Sequence, residues 1–209
     1  DGPQAQRFES DGAGVFLFAP FITQLNLHAV IKEAKLPESK SLAACNYLFA
    51  ILALKLLGTE RYAHVNGHVF DQGLGLFAGL NVLPKCTALS TYSYSLDADH
   101  LLRLQDAFIR QIMKLGVCSG SIINLDFHTI AHFGDESVLK EQWAGARGRR
   151  MKGALTLLAQ DADSRLLLFS AADIQRSEAD EQILAFLSFW QGIKKPMEST
   201  CIFDYKLTT

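Results

Sequence analysis

Two aspartates in matching sequence surroundings are the residues of this chain best suited to chemistry. Asp126 follows the apolar run "SIINL", and Asp204 follows "CIF". The segments Leu-Asp-Phe-His and Phe-Asp-Tyr-Lys therefore share one pattern in distant parts of the chain. Aspartate is a poor strand former and is rarely buried without a partner. Each segment thus places a carboxylate at the end of what the pattern predicts to be a core strand.

A metal site would explain the two carboxylates. Side chains alternate along a strand, so Asn124, Asp126 and His128 share one face, and Asp204 and Lys206 share one face of the last strand. If the two strands are neighbours, the aspartates stand side by side and repel each other unless a proton or a cation lies between them. Oxygen ligands suit Mg²⁺ or Mn²⁺. Two such ions about 3.5–4 Å apart can activate water and stabilise the leaving oxygen in phosphodiester cleavage.

A single aspartate at a strand end is more commonly a turn or cap residue, but the order of the elements favours the metal site. "SGSIINLDFHTI" is typical of a strand, "KGALTLLAQDADSRLLLFSAAD" of a hairpin, "SEADEQILAFLSFWQGIKK" of a helix and "STCIFDYKLTT" of a strand. This β-β-β-α-β order is that of the first part of a ribonuclease-H-like fold, whose acids stand on its first and fourth strands. That step rests on fold analogy.

The chain before these strands has helical patterning, so the sequence predicts an α+β protein of two domains. Residues 1–117 are predicted to form a helical domain, and residues 118–209 the first part of a mixed sheet with its helix. A polar insert, "FGDESVLKEQWAGARGRRMK", separates the first strand from the hairpin.

Composition excludes several classes of protein. The 209 residues are 49% hydrophobic and 20% charged, which is typical of a globular protein. The net charge of -2 gives no global signal for nucleic acid, although local patches can outweigh the sum. The four cysteines are dispersed, which disfavours a zinc site and fits reduced thiols in the cytosol. The most apolar stretch, "YLFAILALKLLG", is too short to span a bilayer.

These residues resemble those of the DDE transposases of bacterial and archaeal insertion sequences. The resemblance is carried by "LDFHTIAHFGDE", "ARGRRMKGALTLLAQD" and "CIFDYKLTT". It extends less specifically to "LFAILALKLLGTERYAHV" and "FDQGLGLFAGLNVLPKCTALSTYSYSL" in the helical part, and so covers nearly the whole chain. The activity it implies is metal-dependent cutting of transposon ends by water, followed by attack of a 3′-hydroxyl on target DNA.

The resemblance also implies roles for individual residues. Asp126 and Asp204 would be the first and second catalytic acids and would hold two Mg²⁺ or Mn²⁺ ions. The third acid of the family, a glutamate on a later helix, is expected beyond Thr209, so the chain is expected to be a truncated piece that is inactive alone. The parent protein would act as a homodimer on double-stranded DNA, at the nucleoid in the cytoplasm of a bacterium or archaeon, with no membrane partner.

The polar insert contains a candidate patch for DNA phosphates beside Asp126. The alternative is a solvated basic turn, which is what most charge runs are. The basic residues of the patch are Arg147, Arg149, Arg150 and Lys152.

The helical domain contains a second candidate for DNA binding. "LPKCTALSTYSY" is predicted to be the second helix of a helix-turn-helix, with an ordinary capped surface helix as the alternative. The residues predicted to face DNA are Lys85, Thr87, Ser90, Thr91 and Tyr92.

Each of the other residues near the aspartates has two possible roles. His128 could contact a metal ion, the scissile phosphate or Asp126, or could be a structural histidine bonded to a carboxylate or carbonyl. Lys206 could contact phosphate or pair with a carboxylate. The pattern favours a loop role for His132, and core or interface packing over base stacking for Trp143. Two other functions also stay open: a ribonuclease-H-like nuclease without strand transfer, and a catalytically inactive DNA-binding remnant.

Overall fold

The computed structural model describes residues 9–59, 61–134, 139–145, 148–194 and 198–203. These residues fall into two compact units, within Asp1–Gln111 and Ile112–Thr209. The first unit is helical and the second contains a mixed sheet, so the prediction of an α+β protein is confirmed.

The first unit is built around one buried apolar helix. Its α-helices are α1 (Ala19–Gln24), α2 (Leu27–Glu33), α3 (Ala44–Leu56), α4 (Gln72–Phe77), α5 (Cys86–Tyr94) and α6 (Ala98–Lys114), and the last residues of α6 belong to the second unit. Two 3-10 helices lie at Ala13–Phe18 and Tyr62–Gly67. The core is centred on α3, which buries Tyr47, Phe49 and Leu54. Gly58, at φ 74°, ends α3, and the Thr59 N–H donates to the Leu54 carbonyl at 2.8 Å.

The second unit is built on a mixed sheet. Its elements are β1 (Ile122–Ala131), β2 (Glu141–Ala144), β3 (Arg149–Asp161), β4 (Leu167–Ala171), a 3-10 helix at Arg176–Glu178, α7 (Ala179–Ile193) and β5 (Thr200–Phe203). The strand order is β2-β3-β1-β5, and β4 also pairs with β3. β1 is therefore an inner strand, antiparallel to β3 on one side and parallel to β5 on the other.

The predicted β-β-β-α-β order is wrong in one respect, because a further strand, β2, lies within the polar insert. β2 alternates the exposed Glu141 and Trp143 with the buried Gln142 and Ala144. It pairs antiparallel with the first residues of β3. Such a short polar strand is stabilised by this pairing and by burial of one face rather than by its own propensity. Arg149, Arg150 and Lys152 belong to β3 itself and do not form a turn before it.

Aromatic packing joins α7 to the sheet. The rings of Phe169 on β4 and Phe186 on α7 lie 5.5 Å apart, and those of Phe186 and Trp190 lie 6.4 Å apart. Ile123 and Leu125 of β1 are buried, while Asn124, Asp126 and His128 are exposed. One face of β1 therefore belongs to the core, and the other is accessible.

Gly120 connects the start of β1 to three other segments. Its N–H donates to Asp161 Oδ1 at 2.9 Å, at the end of β3. Its carbonyl accepts from Ser199 Oγ at 2.6 Å, just before β5, and that hydroxyl accepts from Trp190 Nε1 at 2.9 Å. Gly120 has φ 59°, and a Cβ at this position would collide with the Trp190 ring. Only glycine satisfies both conditions without strain.

Asp161 is a fully buried carboxylate whose oxygens are satisfied. Its Oδ2 accepts from the N–H and the hydroxyl of Ser164, at 2.8 and 2.6 Å. Burial raises the pKa of Asp161, but the hydrogen bonds from Ser164 and Gly120 outweigh burial and hold that pKa below its ordinary value. The ionised carboxylate therefore stabilises the folded state.

No single helix among the described residues has both the length and the apolar composition needed to span a membrane. A bent pair, Ala13–Gln24 with Leu27–Glu33 at 64°, meets the length and composition requirements only when its two helices are taken together.

Replacing Gly120 with alanine is expected to destabilise the second unit more than the same change at Gly116. Both glycines have positive φ, which costs an alanine about 1–2 kcal/mol. A Cβ at Gly116 meets open space, whereas one at Gly120 meets Trp190 and should add about 1–3 kcal/mol. Both tryptophans, Trp143 and Trp190, lie in this unit, so urea unfolding followed by their fluorescence measures the difference. Equal losses for the two variants would show that the collision is relieved at no cost.

Asp161→Asn is expected to lower stability at neutral pH by about 2 kcal/mol, because buried donors lose a charged acceptor. The folded-state pKa of Asp161 is lowered, so its contribution is present above the unfolded value of about 4 and is lost as pH falls through the folded pKa. The gap between wild type and variant should therefore narrow below about pH 4. Urea unfolding across pH 2–7 measures this gap, with the exposed Asp163→Asn as the control. A gap that is independent of pH would contradict the assignment.

Candidate functional site

β1 presents the first predicted catalytic acid near its middle. Asn124, Asp126 and His128 are all exposed and alternate with the buried Ile123 and Leu125. Asp126 lies opposite Leu158 of β3 in the antiparallel register. The three polar side chains therefore project from the accessible face of β1, away from its core face.

The prediction that Asp126 ends a strand is wrong. β1 continues to Ala131, which pairs with Gly153. The residues after Asp126 include Phe127, Thr129 and Ile130, which are aromatic or β-branched and extend the pairing along β3. The pairing of β1 with β3 therefore continues both before and after Asp126 in the chain. This pairing fixes the direction of the Asp126 side chain more firmly than a loop would.

The carboxylate of Asp126 and the imidazole of His128 have no hydrogen-bond or ion-pair partner among the residues that the structure describes. The contact that His128 makes is through its backbone, whose carbonyl accepts from the buried Thr156 hydroxyl at 2.7 Å. Within that part of the chain, both polar groups are available to a ligand. The alternative role of His128, a structural histidine bonded to a carboxylate or carbonyl, has no such partner among the described residues.

β5 provides the parallel neighbour that the predicted metal site requires. The register pairs Ile122 with Thr200 and Leu125 with Phe203. The second predicted acid, Asp204, follows Phe203 in the sequence, and both it and Lys206 lie outside the described residues.

Strand alternation divides the predicted basic patch between two faces. Arg150 lies opposite the exposed Trp143, and Lys152 lies opposite Glu141. Even-numbered residues of β3 also pair with the even-numbered residues of β1 that include Asp126, so Arg150 and Lys152 share its face. Arg149 is exposed on the other face, and Arg147 lies outside the described residues.

Two residues with open roles lie near this face. Trp143 is 57% exposed, so its ring is not packed in the core of the second unit, and the predicted alternative of interface packing stays a prediction. His132 follows the last residue of β1, and its backbone N–H donates to the Lys152 carbonyl at 2.9 Å. Its Nε2 is buried without a hydrogen-bond partner among the described residues.

Helix α5 forms where the sequence predicts one, but it does not present all the residues assigned to DNA. Lys85, Thr87 and Thr91 are exposed, and Ser90 is half-buried. Tyr92 is 5% exposed and stacks on Tyr47 with ring centroids 4.0 Å apart. The assignment of Tyr92 to a DNA-facing surface is therefore wrong, because its ring completes the core around α3.

The geometry around α5 differs from that of a helix-turn-helix. The connection from α4 runs from Ala78 to Lys85, whereas the motif has a turn of about 3–4 residues. Gly79 lies at φ 71° just after α4, and Leu83 and Pro84 in the connection are buried. A role for α5 in binding DNA stays a prediction.

The donors near Asp126 suit a hard cation. A carboxylate and an amide oxygen, from Asp126 and Asn124, are the ligand types that Mg²⁺ and Mn²⁺ accept. Among the described residues no group of three or more histidine, cysteine, aspartate or glutamate side chains is placed to hold a metal ion. A metal site at Asp126 therefore stays a prediction.

The first unit contains a cavity that was not predicted from the sequence. It has a volume of about 400 Å³ and is lined in part by Glu38, Tyr47, Thr91 and Tyr92. These residues come from the α2–α3 loop, α3 and α5, so no local motif marks them.

No protein-family model matches this chain, and neither the curated proteins nor the solved structures give a match.

Proposed function

We propose that this chain carries part of the catalytic site of a DNA transposase, in which Asp126 and Asp204 hold Mg²⁺ or Mn²⁺ for phosphodiester cleavage and strand transfer. The observation that supports it most is the register of β1 and β5. Leu125 and Phe203 pair in the parallel register, and each of them is followed in the sequence by an aspartate. This register is the one that two adjacent metal-binding carboxylates require.

The order of the strands supports a ribonuclease-H-like second unit. In that fold the acids stand on the first and fourth strands, which must then be neighbours. When the short strand β2 is counted as an insertion, β1 and β5 are the first and fourth strands, and they pair directly. Helix α7 lies between β4 and β5 in the chain, where the fold requires a helix.

The chain's own residues would position the substrate. Asp126 offers a carboxylate that has no partner in the described structure, and Asn124 and His128 flank it with groups that can hydrogen-bond to phosphate oxygens. When bound, the divalent ions supply activation of water and stabilisation of the leaving oxygen. No side-chain nucleophile is needed. Burial raises the pKa of the Cys118 and Cys201 thiols, which keeps them protonated at neutral pH.

Double-stranded DNA would lie along the accessible face. Arg150 and Lys152 share that face with Asp126 and suit phosphate contacts. Trp143 is exposed opposite Arg150 and can stack on a base. A homodimer acting at the nucleoid, with α5 as a further DNA contact, completes the proposal.

Asp126→Asn is expected to weaken Mn²⁺ binding. Loss of residues that only support metal ligands costs about 10–100-fold in affinity, so loss of a charged ligand should cost at least about tenfold. Paramagnetic broadening of backbone amide NMR signals during Mn²⁺ titration measures this, and the signals of Asn124 and His128 should broaden first in the wild-type chain. Asp163→Asn, an exposed aspartate of the same unit, is the matched control and should bind as wild type does. Equal affinity in all three proteins would refute the site.

Arg150→Gln is expected to weaken binding to duplex DNA and to reduce the slope of log K against log[salt] by about 1, since one phosphate contact is lost. Arg149→Gln removes the same charge from the opposite face of β3 and should leave the slope unchanged. Fluorescence anisotropy with a labelled duplex at several salt concentrations measures both slopes. Equal effects of the two changes would show that the face bearing Asp126 is not the DNA surface.

Strand joining separates transposase from nuclease. The assay combines the complete protein with labelled transposon ends, target DNA and Mg²⁺. A transposase is expected to cut the ends and join them to target DNA, and Asp126→Asn should abolish both steps. Cutting without joining would indicate a nuclease. DNA binding with neither step would indicate an inactive remnant.

A further inference from the structure

A small cavity lies on the face of the sheet opposite to Asp126, where the sheet meets the start of α7. Its volume is about 180 Å³. Thr129 of β1 pairs with Leu155 of β3, and Gln142 of β2 pairs with Met151, so these side chains share the core face of the sheet. The residues that line the cavity include Phe127, Thr129, Gln142, Leu155, Arg176 and Ala179.

The side-chain amide of Gln142 is the unexplained polar group of this cavity. Gln142 is 7% exposed, and its side chain lies on the face of β2 that borders the cavity. The amide forms no hydrogen bond with any residue that the structure describes. Its nitrogen and oxygen both retain accessible surface, so they are not sealed inside the protein. Buried amides are normally paired, and this one is therefore placed to bond to a molecule in the cavity.

Two further polar groups border the cavity without a partner. The Thr129 hydroxyl and the Arg176 guanidinium form no hydrogen bond or ion pair with the described residues. The Cγ2 methyl of Thr129 packs against Gly153, where an added Cβ would come within 2.8 Å of it. Because the methyl group is taken up by this packing, the hydroxyl is the part of Thr129 that is left for a ligand.

The charge of the cavity favours an anion. Arg176 is the charged residue among the described residues that line it. The acidic residues at the start of α7, Glu178, Asp180 and Glu181, are not part of the described lining, and they offset the positive end of the helix dipole. The preference for a negative ligand therefore depends on Arg176 and not on the helix end.

The walls and the volume of the cavity limit the ligand to a small organic anion. Phe127, Leu155 and Ala179 are apolar, so an inorganic phosphate would lose water there without gaining hydrogen bonds in return. A water molecule takes up about 30 Å³ in the liquid, so the cavity has the volume of about six waters. A carboxylate that carries one small apolar group meets both conditions.

We propose that this cavity binds a small organic carboxylate, of the class of the aromatic monocarboxylic acids. The carboxylate oxygens accept hydrogen bonds from the Gln142 amide, the Thr129 hydroxyl and the Arg176 guanidinium. The apolar part of the ligand packs against Phe127 and Leu155. The Gln142 amide thereby gains the partner that it lacks in the protein. This site lies on the opposite face of the sheet from Asp126, so the inference does not depend on the transposase proposal.

The test compares three ligands of matched shape and different charge on the full chain. The probes are benzoate, neutral benzamide and cationic benzylammonium, each titrated into isotope-labelled protein and followed by NMR chemical shifts. Benzoate is expected to bind saturably, with the largest shifts at the Gln142 side-chain amide and the backbone amides of Thr129 and Leu155. Benzamide should bind about fivefold more weakly, since it forms no ion pair with Arg176, and benzylammonium should not bind.

Two variants locate the site. Arg176→Gln should weaken benzoate binding by about fivefold, whereas Arg165→Gln removes an equal charge from an exposed residue outside the described lining and should not. Gln142→Met keeps the length of the side chain and removes an amide that has no partner among the described residues. This variant should therefore fold at least as stably as wild type and bind benzoate more weakly.

Three results would overturn the proposal directly: no saturable binding of benzoate, benzamide binding as tightly as benzoate, or shifts centred away from Gln142. A Gln142→Met protein that is less stable than wild type but binds benzoate equally well would show that the amide has a structural role, and would contradict the proposal as well.

Discussion

Hydrogen bonds of the Gly120 backbone set the register of β1 against both of its neighbours, β3 and β5. Its N–H is held by Asp161 at the end of β3, and its carbonyl by Ser199 at the start of β5. Side chains alternate with a period of two, so a slip of one residue would turn Asp126 from the accessible face to the core face. The ionised state of Asp161 and the absence of a side chain at Gly120 thus decide where the carboxylate points.

The same junction couples the helix to the sheet. Trp190 of α7 fills the space that a side chain at Gly120 would occupy, and its indole N–H donates to the Ser199 hydroxyl. Lys194, just after α7, donates to the Ser119 carbonyl at 2.9 Å. The end of α7 is therefore anchored to the start of β1. Burial of one face of β1 under this helix leaves the opposite face to carry polar side chains, and a cleavage site on the sheet requires such a division.

The spacing of apolar residues predicted much of this fold, because a long helix or strand buries side chains at regular intervals along the sequence. The apolar helix α3, the strands β3 and β4 and the helix α7 all carry such patterns. β2 was not predicted because its buried face consists of the polar Gln142 and the small Ala144, whose burial depends on the pairing with β3. Tyr92 was misassigned because α5 has a polar composition, and the partner that buries this ring, Tyr47, is distant in sequence. The basic cluster "RGRRMK" is continuous in sequence, whereas strand pleating places Arg149 and Arg150 on opposite faces.

Charge gives the two units different chemistry despite a net charge of only -2. On the sheet, Asp126 shares one accessible face with Arg150 and Lys152, so under the proposed function an anionic DNA backbone could approach this carboxylate only when a cation screens the two charges. In the helical unit, Glu38 is the charged member of the described residues that line a cavity beside α5. If the first unit contacts DNA, the exposed Lys85 before α5 is better suited to do so than the tyrosines and threonines that border the cavity.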